Sequence, residues 1–169
     1  MTGLEYEYRS GIGTDIHRLV EGKDLMLGGV HVPYAMGLKG HSDGDAVLHA
    51  VIDAMLGAAA MGDIGTLFPD TDEKWKDADS GKLTMIVRTM LEEKGWETVN
   101  ADLIVHAERP KLAAFKGQIK RSVADLLSVD FNDINVKAKT NEGLDAVGEG
   151  RAIAATAVTL IRRRLKRTL

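Results

Sequence analysis

The stretch Gly13-Thr14-Asp15-Ile16-His17, answered further along by His41-Ser42-Asp43-Gly44-Asp45-Ala46-Val47-Leu48-His49, organises the reading of this chain. On a β-strand successive side chains alternate between faces, so Asp15 and His17 fall on the same one. A helix carrying His49 could lay a third donor against that face. Two imidazoles and one carboxylate form a ligand set suited to catalytic zinc, which keeps a fourth position open for substrate or water. His41 and His49 are eight residues apart, a rise of about 12 Å on a helix, too far for both to hold one ion through bonds of about 2 Å. They therefore have different tasks. His41 and Ser42 stand at the helix start, where free backbone N–H groups and a partial positive charge favour a phosphate. Asp45, one turn before His49, could orient its ring or simply serve the helix N-terminus.

Size and composition narrow the field. The 169 residues with 44% apolar content suffice for one substantial core, and the expectation is one compact domain over residues 1–169. A net charge of −3 and a pI near 6.0 provide no general basic field for nucleic acid, so phosphate recognition should be local and the ligand small. The absence of cysteine removes disulfides and thiolate metal sites, leaving His and carboxylate oxygen as ligands. Residues 1–10 resemble neither a signal peptide nor a transit segment, and no apolar run is long enough for a membrane span; the expected location is cytoplasmic.

Periodicity then places the elements. Residues 6–20 read as an opening strand and 25–33 as a hairpin turning on Gly28-Gly29, with Pro33 at an edge. Ser42 with Asp45 resembles a capping box ahead of an alanine-rich buried helix over 46–61, stopped by Gly62. Residues 62–72 mix Gly, Pro and Asp as an ordered functional loop does. Ser80 opens a helix to 94, with Leu83, Ile86, Val87, Met90 and Leu91 at helical spacing and Gly95 as its stop. Strands are expected at 99–106 and 134–140, and helices at 111–127 and 150–167. The basic run Arg162-Arg163-Arg164 with Lys166-Arg167 would then be a helix end favoured by the dipole, with no need of nucleic acid. Alternating strands and helices imply an α/β (α+β) chain, a mixed sheet covered by helices.

Taken together, the two opening stretches, Gly62-Asp63-Ile64-Gly65, Phe68-Pro69-Asp70-Thr71-Asp72, Pro110-Lys111 and Val136-Lys137-Ala138-Lys139-Thr140-Asn141-Glu142 resemble, in order and spacing, the 2-C-methyl-D-erythritol 2,4-cyclodiphosphate synthase family of the non-mevalonate isoprenoid pathway. The resemblance covers nearly the whole chain. It implies a small mixed four-stranded sheet and a homotrimer with active sites between neighbouring subunits, and the length suits a stand-alone form. It also implies the reaction: 4-diphosphocytidyl-2-C-methyl-D-erythritol 2-phosphate cyclises, with release of CMP, when its 2-phosphate attacks the β-phosphorus. This is a phosphorus–oxygen lyase reaction.

The same resemblance assigns residues. Asp15, His17 and His49 fall on the zinc ligands, and Glu142 on the carboxylate for a second divalent cation, Mg²⁺ or Mn²⁺. His41 and Thr140 match positions that stabilise the transition state, and Ser42 joins His41 on the substrate phosphate. Asp63, Ile64 and Gly65, with Phe68, Pro69, Asp70, Thr71 and Asp72, match the part enclosing the methylerythritol moiety. Ala107, Glu108, Arg109, Pro110, Lys111, Leu112 and Ala113 match the cytidine segment, while Lys139, Thr140 and Asn141 grip the diphosphate. The partner implied is a small cytidine diphosphate substrate, without nucleic acid or membrane. One departure stands out: the chain has Gly148-Glu149-Gly150-Arg151 where many members have Gly-x-Gly-Glu-Gly, so a ligand of the trimer's central cavity does not transfer to Glu149 or Arg151. Two other classes fit the same triad, a zinc phosphoesterase that activates water and a noncatalytic trimeric protein with structural metal.

Overall fold

The computed structural model describes residues 5–165. The expected alternation governs the first strand, β1 (Tyr6–Glu21): Gly13, Asp15, His17 and Leu19 turn one way and Ile12, Thr14 and Ile16 the other. The hairpin follows as β2 (Leu25–Leu27) and β3 (Val30–Val32), then β4 (Met36–Leu38) pairs antiparallel with the end of β1. After α1 (Ala46–Ala59) and the single turn α2 (Ile64–Leu67) come α3 (Ser80–Glu93), β5 (Trp96–His106), α4 (Lys116–Leu127), β6 (Ile134–Lys139), the short α5 (Asp145–Gly148) and β7 (Ala152–Arg164).

The largest departure from expectation is β7. Residues 150–167 were expected to be helical, yet Ala152–Arg164 is a strand at the centre of the sheet, antiparallel to both β1 and β5. Its Ile153, Ala155, Ala157, Thr159 and Ile161 are buried, with less buried residues between them, a period of two. Its alanines suit a helix, but its β-branched residues Ile153, Thr156, Val158, Thr159 and Ile161 suit a strand, and pairing on both edges decides for the strand. Its arginines consequently meet carboxylates across strands: Arg162 pairs with Glu97 at 2.5 Å and Arg163 with Glu7 at 2.7 Å. They do not end a helix. Lys166 and Arg167, and residues 1–4 of the stretch read as unlike a signal or transit peptide, lie outside the described residues.

The mixed main sheet therefore has five strands rather than four, in the order β4-β1-β7-β5-β6, and only β5 and β6 run parallel. β2 and β3 form a separate two-stranded sheet. Helices pack on one face of the main sheet; on the other, Ile12 is 66% exposed and Ile16 57%. Smaller corrections concern helix ends. α1 stops at Ala59 because Ala60 takes the left-handed cap conformation (φ 55°), before Gly62 is reached. α3 starts at Ser80 as expected, with Asp79 as its cap, and ends at Glu93; α4 starts at Lys116, leaving Pro110 and Lys111 in the preceding loop. Among the described residues no helix is long and apolar enough to cross a membrane.

What seats α1 on the sheet is a seam of small residues. A Cβ built on Gly11 would stand 2.0 Å from the Ala54 carbonyl oxygen, and one on Gly13 would stand 2.1 Å from that of Ala50. Any side chain there would force helix and strand apart. With glycine, the backbone of β1 meets α1 directly, and one residue before Ala50 the helix presents His49 to the strand.

Candidate metal centre and substrate segments

Asp15 and His17 share the helix-facing side of β1, and His49 reaches them from α1. His17 Nε2 is 2.9 Å from Asp15 Oδ2, His49 Nδ1 is 3.0 Å from the same oxygen, and the two ring nitrogens are 3.1 Å apart. These three donor atoms make a nearly equilateral triangle. A tetrahedral ion with bonds of about 2.0 Å has ligand-to-ligand edges of about 3.3 Å, so the triangle fits one face of a zinc site and leaves the fourth corner open. It is the one His, Asp and Glu grouping among the described residues that could hold a metal.

Tautomers support the fit. His17 Nδ1 lies 2.8 Å from the Lys39 carbonyl oxygen, which can only accept, so Nδ1 carries the proton and Nε2 offers a lone pair. A lone pair aimed at the Asp15 carboxylate calls for a cation between them. In the metal-free protein a proton fills that role: the hydrogen bond to Asp15 raises the His17 pKa against the opposing effect of burial. For Asp15, burial works upward, but hydrogen bonds and charge from His17 and His49 outweigh it and hold the carboxyl well below the usual range.

The helix start differs from expectation. Asp45 itself is the N-cap of α1: its buried carboxylate accepts from Val47 N at 3.1 Å and Leu48 N at 3.0 Å. The same carboxylate accepts from Gly28 N at 2.8 Å and Gly29 N at 2.6 Å, tying the hairpin turn to the helix. Hence Ser42 and Asp45 form no capping box, Asp45 does not orient His49, and the helix terminus offers no free N–H cradle for phosphate. His41 and Ser42 belong to the preceding loop, which is laced to the segment before α3 by Asp77 N to His41 O (2.8 Å) and Asp43 N to Ala78 O (3.1 Å). Ser42 is buried with its Oγ 2.9 Å from His49 Nε2, while His41 turns its Nε2 toward the Asp72 carbonyl at 3.4 Å.

The 63–72 segment is ordered by local bonds. Asp63 caps α2 through Thr66 N (2.8 Å), and Phe68 stacks edge-on against Trp75 with ring centroids 4.8 Å apart. Ile64 N donates to Asp53 Oδ1 at 2.7 Å. Asp53 was missed in the sequence, although a signal existed: it is the one acidic residue within α1, one turn beyond His49. Burial raises its pKa, and the nearby Asp63 and Asp15 add to the rise.

The remaining assigned residues gather elsewhere. Ala107 N bonds Lys139 O at 2.9 Å, and Ala107, Pro110, Lys111, Leu112 and Ala113 line a cavity of about 200 Å³ with Lys139 and Thr140. Lys116 of α4 also lines it and was not anticipated. The Arg109–Pro110 bond is cis, and Glu108 keeps one carboxylate oxygen buried without a hydrogen-bond partner among the described residues. Thr140 donates to the exposed Glu142 carboxylate, and Asn141 bridges His106 (3.1 Å) and Asp145 (2.9 Å). Arg151 pairs with Glu149 at 2.5 Å.

Lys139 stands well apart from the triad within the chain. Register puts Ile16, Ala154, His106 and Lys139 in one line across β1, β7, β5 and β6. Lys139 is thus three strand spacings of about 4.8 Å from β1, roughly 14 Å. It also points to the helix-free face, on the same side as Ile16, whereas His17 points to α1.

Fold and site together define an α/β protein with a three-donor group, able to hold a metal, between a strand and a helix. Residues 8–162 match the YgbB family, and the chain belongs to that family. It is 50% identical over 153 residues to the 2-C-methyl-D-erythritol 2,4-cyclodiphosphate synthase of Treponema denticola, covering 90% of this chain and 95% of that protein. Among solved structures, a 2C-methyl-D-erythritol-2,4-cyclodiphosphate synthase with CDP bound superposes with a TM-score of 0.84 at 38% identity, covering 90% of this chain and 99% of the other. The bifunctional IspDF from Campylobacter jejuni superposes with a TM-score of 0.90 at 41% identity, over 94% of this chain and 43% of that longer one.

Proposed function

We propose that the chain is a 2-C-methyl-D-erythritol 2,4-cyclodiphosphate synthase, a CMP-releasing phosphorus–oxygen lyase of isoprenoid precursor biosynthesis, working as one domain over residues 1–169. The observation that carries this reading is the Asp15, His17 and His49 triangle within a chain 50% identical to a synthase of that name. Zinc suits the triad, and Mg²⁺ or Mn²⁺ suits Glu142, since such ions are held by one or two carboxylates plus substrate phosphates. When bound, these cations supply Lewis acidity and charge neutralisation at the crowded phosphates.

The protein's own residues fold the substrate back on itself. An oxygen of the 2-phosphate forms a bond to the β-phosphorus while the bond from that phosphorus to the α-phosphate oxygen breaks, and CMP leaves with that oxygen. Both reactants belong to one molecule, so alignment replaces a bimolecular encounter. The attacking phosphate is largely ionised near neutral pH, with a second pKa of about 6, and needs no general base. His41, and Thr140 once its hydroxyl turns from Glu142 to the substrate, donate toward the charge that builds on the transferring phosphoryl group, while Lys139 grips the diphosphate. Ser42 and Asn141 hold phosphate oxygens. The segment from Asp63 to Asp72 receives the methylerythritol hydroxyls and excludes water, and residues 107–113 hold the cytosine and ribose.

A homotrimer completes the site. The roughly 14 Å between the triad and Lys139 on the opposite face suits triad and nucleotide segments from neighbouring subunits. The exposed Ile12, cross-strand partner of Val158 at 43% exposure, supplies apolar surface for packing sheet against sheet. A cytoplasmic location goes with this biosynthetic role.

The test is product analysis with the cytidyl substrate. Equimolar CMP and cyclic diphosphate, identified by ³¹P NMR, support the proposal; CMP with an uncyclised bisphosphate would make the protein a hydrolase instead.

A further inference from the structure

Beyond the metal ligands, a part-buried hydrogen-bond chain meets the back of His49. Asp43 grips the first residue of α3 twice: its Oδ1 accepts from Ser80 Oγ at 2.5 Å and its Oδ2 from Ser80 N at 3.0 Å. A third bond, from Asp45 N at 3.2 Å, holds the carboxylate in place. Ser80 is fully buried, and its Oγ lies 3.0 Å from His49 Nε2. A hydroxyl has one proton, and a carboxylate at 2.5 Å that can only accept takes it. The oxygen left facing His49 is therefore an acceptor, and Nε2 must carry the hydrogen. Ser42 Oγ, 2.9 Å from the same nitrogen, cannot reverse this by donating, because a bare Nε2 would then face the Ser80 lone pair. It too accepts, sharing the Nε2 hydrogen.

We propose that Asp43 and Ser80 are positioning residues that lock His49 in its Nε2-protonated tautomer, so that Nδ1 always presents its lone pair to the metal. Histidines that bind metals commonly donate their other N–H to such a partner, which fixes ring and tautomer. Here the partner is a serine polarised by a carboxylate, and it arrives from α3, so the start of that helix is part of the metal site's support. His17 has its own device in the Lys39 carbonyl. A further consequence is that the Ser42 proton stays turned away from His49 and free for another acceptor.

The proposal rests on the metal reading above, and its test separates the two. Zinc affinity is measured by competition with a chromophoric chelator for wild type, Ser80→Ala, Ser80→Thr and Asp43→Asn. Melting of the metal-stripped protein is followed in parallel, as are ¹⁵N shifts of the His49 ring at alkaline pH. Expected are a loss of affinity of about 10- to 100-fold for Ser80→Ala, a smaller loss for Asp43→Asn, and recovery in Ser80→Thr. The stripped Ser80→Ala protein should show mixed His49 tautomers where wild type shows Nε2–H. Wild-type affinity in Ser80→Ala overturns the proposal, as does a loss that tracks lowered melting of the stripped protein with the tautomer unchanged. If Ser80→Ala does not fold, the Asp43→Asn affinity and tautomer decide alone. No zinc binding by wild type removes the metal reading and this proposal with it.

Discussion

Gly13 of β1 lies so close to α1 that a Cβ would stand 2.1 Å from the carbonyl oxygen of Ala50, the residue next to His49. The Asp15, His17 and His49 triangle depends on this contact, because its donors come from both elements. Gly13→Ala should push the helix outward, lower stability by at least about 1–3 kcal/mol and weaken zinc binding together with it. Denaturant unfolding and chelator competition on the same preparation check both effects. Full zinc affinity in a folded Gly13→Ala protein would separate the seam from the site.

His49→Ala removes one of three donors without touching the apolar sheet face around Ile12. It should lose zinc and cyclisation while sedimenting as the wild-type oligomer. Metal analysis, product assay and sedimentation are the three measurements, and wild-type turnover by the zinc-free variant would refute the catalytic assignment.

If neighbouring subunits share each site, a His49→Ala subunit and a Lys111→Ala subunit are defective in different halves. In any cyclic trimer containing both, one site of three combines an intact triad with an intact nucleotide segment, so activity should return to about one third of wild type. Purified mixed trimers that stay inactive would place both halves of the site in one chain.

Asp53 anchors Ile64 N at 2.7 Å and so ties the 63–72 segment to α1. Asp53→Ala leaves a half-buried N–H unpaired, a cost of about 1–3 kcal/mol, borne mainly by that segment. The expected result is a raised KM with zinc affinity within a factor of about two of wild type. Steady-state kinetics beside a zinc titration test it; an unchanged KM would deny Asp53 this role.

Zinc affinity should depend on pH through His17. Its folded pKa is raised above 6.5, so the protonated pair with Asp15 stabilises the metal-free fold fully below pH 6.5 and ceases to as pH climbs through the raised value. Metal must displace that proton, and affinity should fall about tenfold per pH unit below the raised pKa. Asp15, its pKa depressed, contributes stability above its unfolded value near 3.8 and loses it only as pH falls through the folded one, so near neutrality it adds no slope. Chelator competition across pH 6–8 measures the dependence, and a flat profile contradicts it.

The Asp15, His17 and His49 grouping was legible because its signals are local. Alternation along Gly13 to His17 sets two donors on one face whatever surrounds them, and the apolar run after Asp45 reads as a buried helix in almost any context. Residue types in order also carried the family resemblance. Other features rest on partners distant in the chain. The stretch Ala152–Arg164 mixes four alanines with five β-branched residues, so its own propensity is divided, and pairing with β1 and β5 on both edges makes it a strand. Asp45 could have capped, oriented a histidine or bound nothing; four backbone N–H groups, two of them from the hairpin turn, chose for it. Ser80 and Asp53 looked like ordinary polar residues until folding set them beside His49 and Ile64.

Side-chain type and local periodicity are written into the chain one residue at a time, so the donors and their chemistry belong to the order of amino acids. Which backbone groups face them, and that Lys139 lies three strands from the triad on the opposite face, follows from long-range pairing. That pairing is decided by the free energy of the whole packed chain, to which no single segment holds the key.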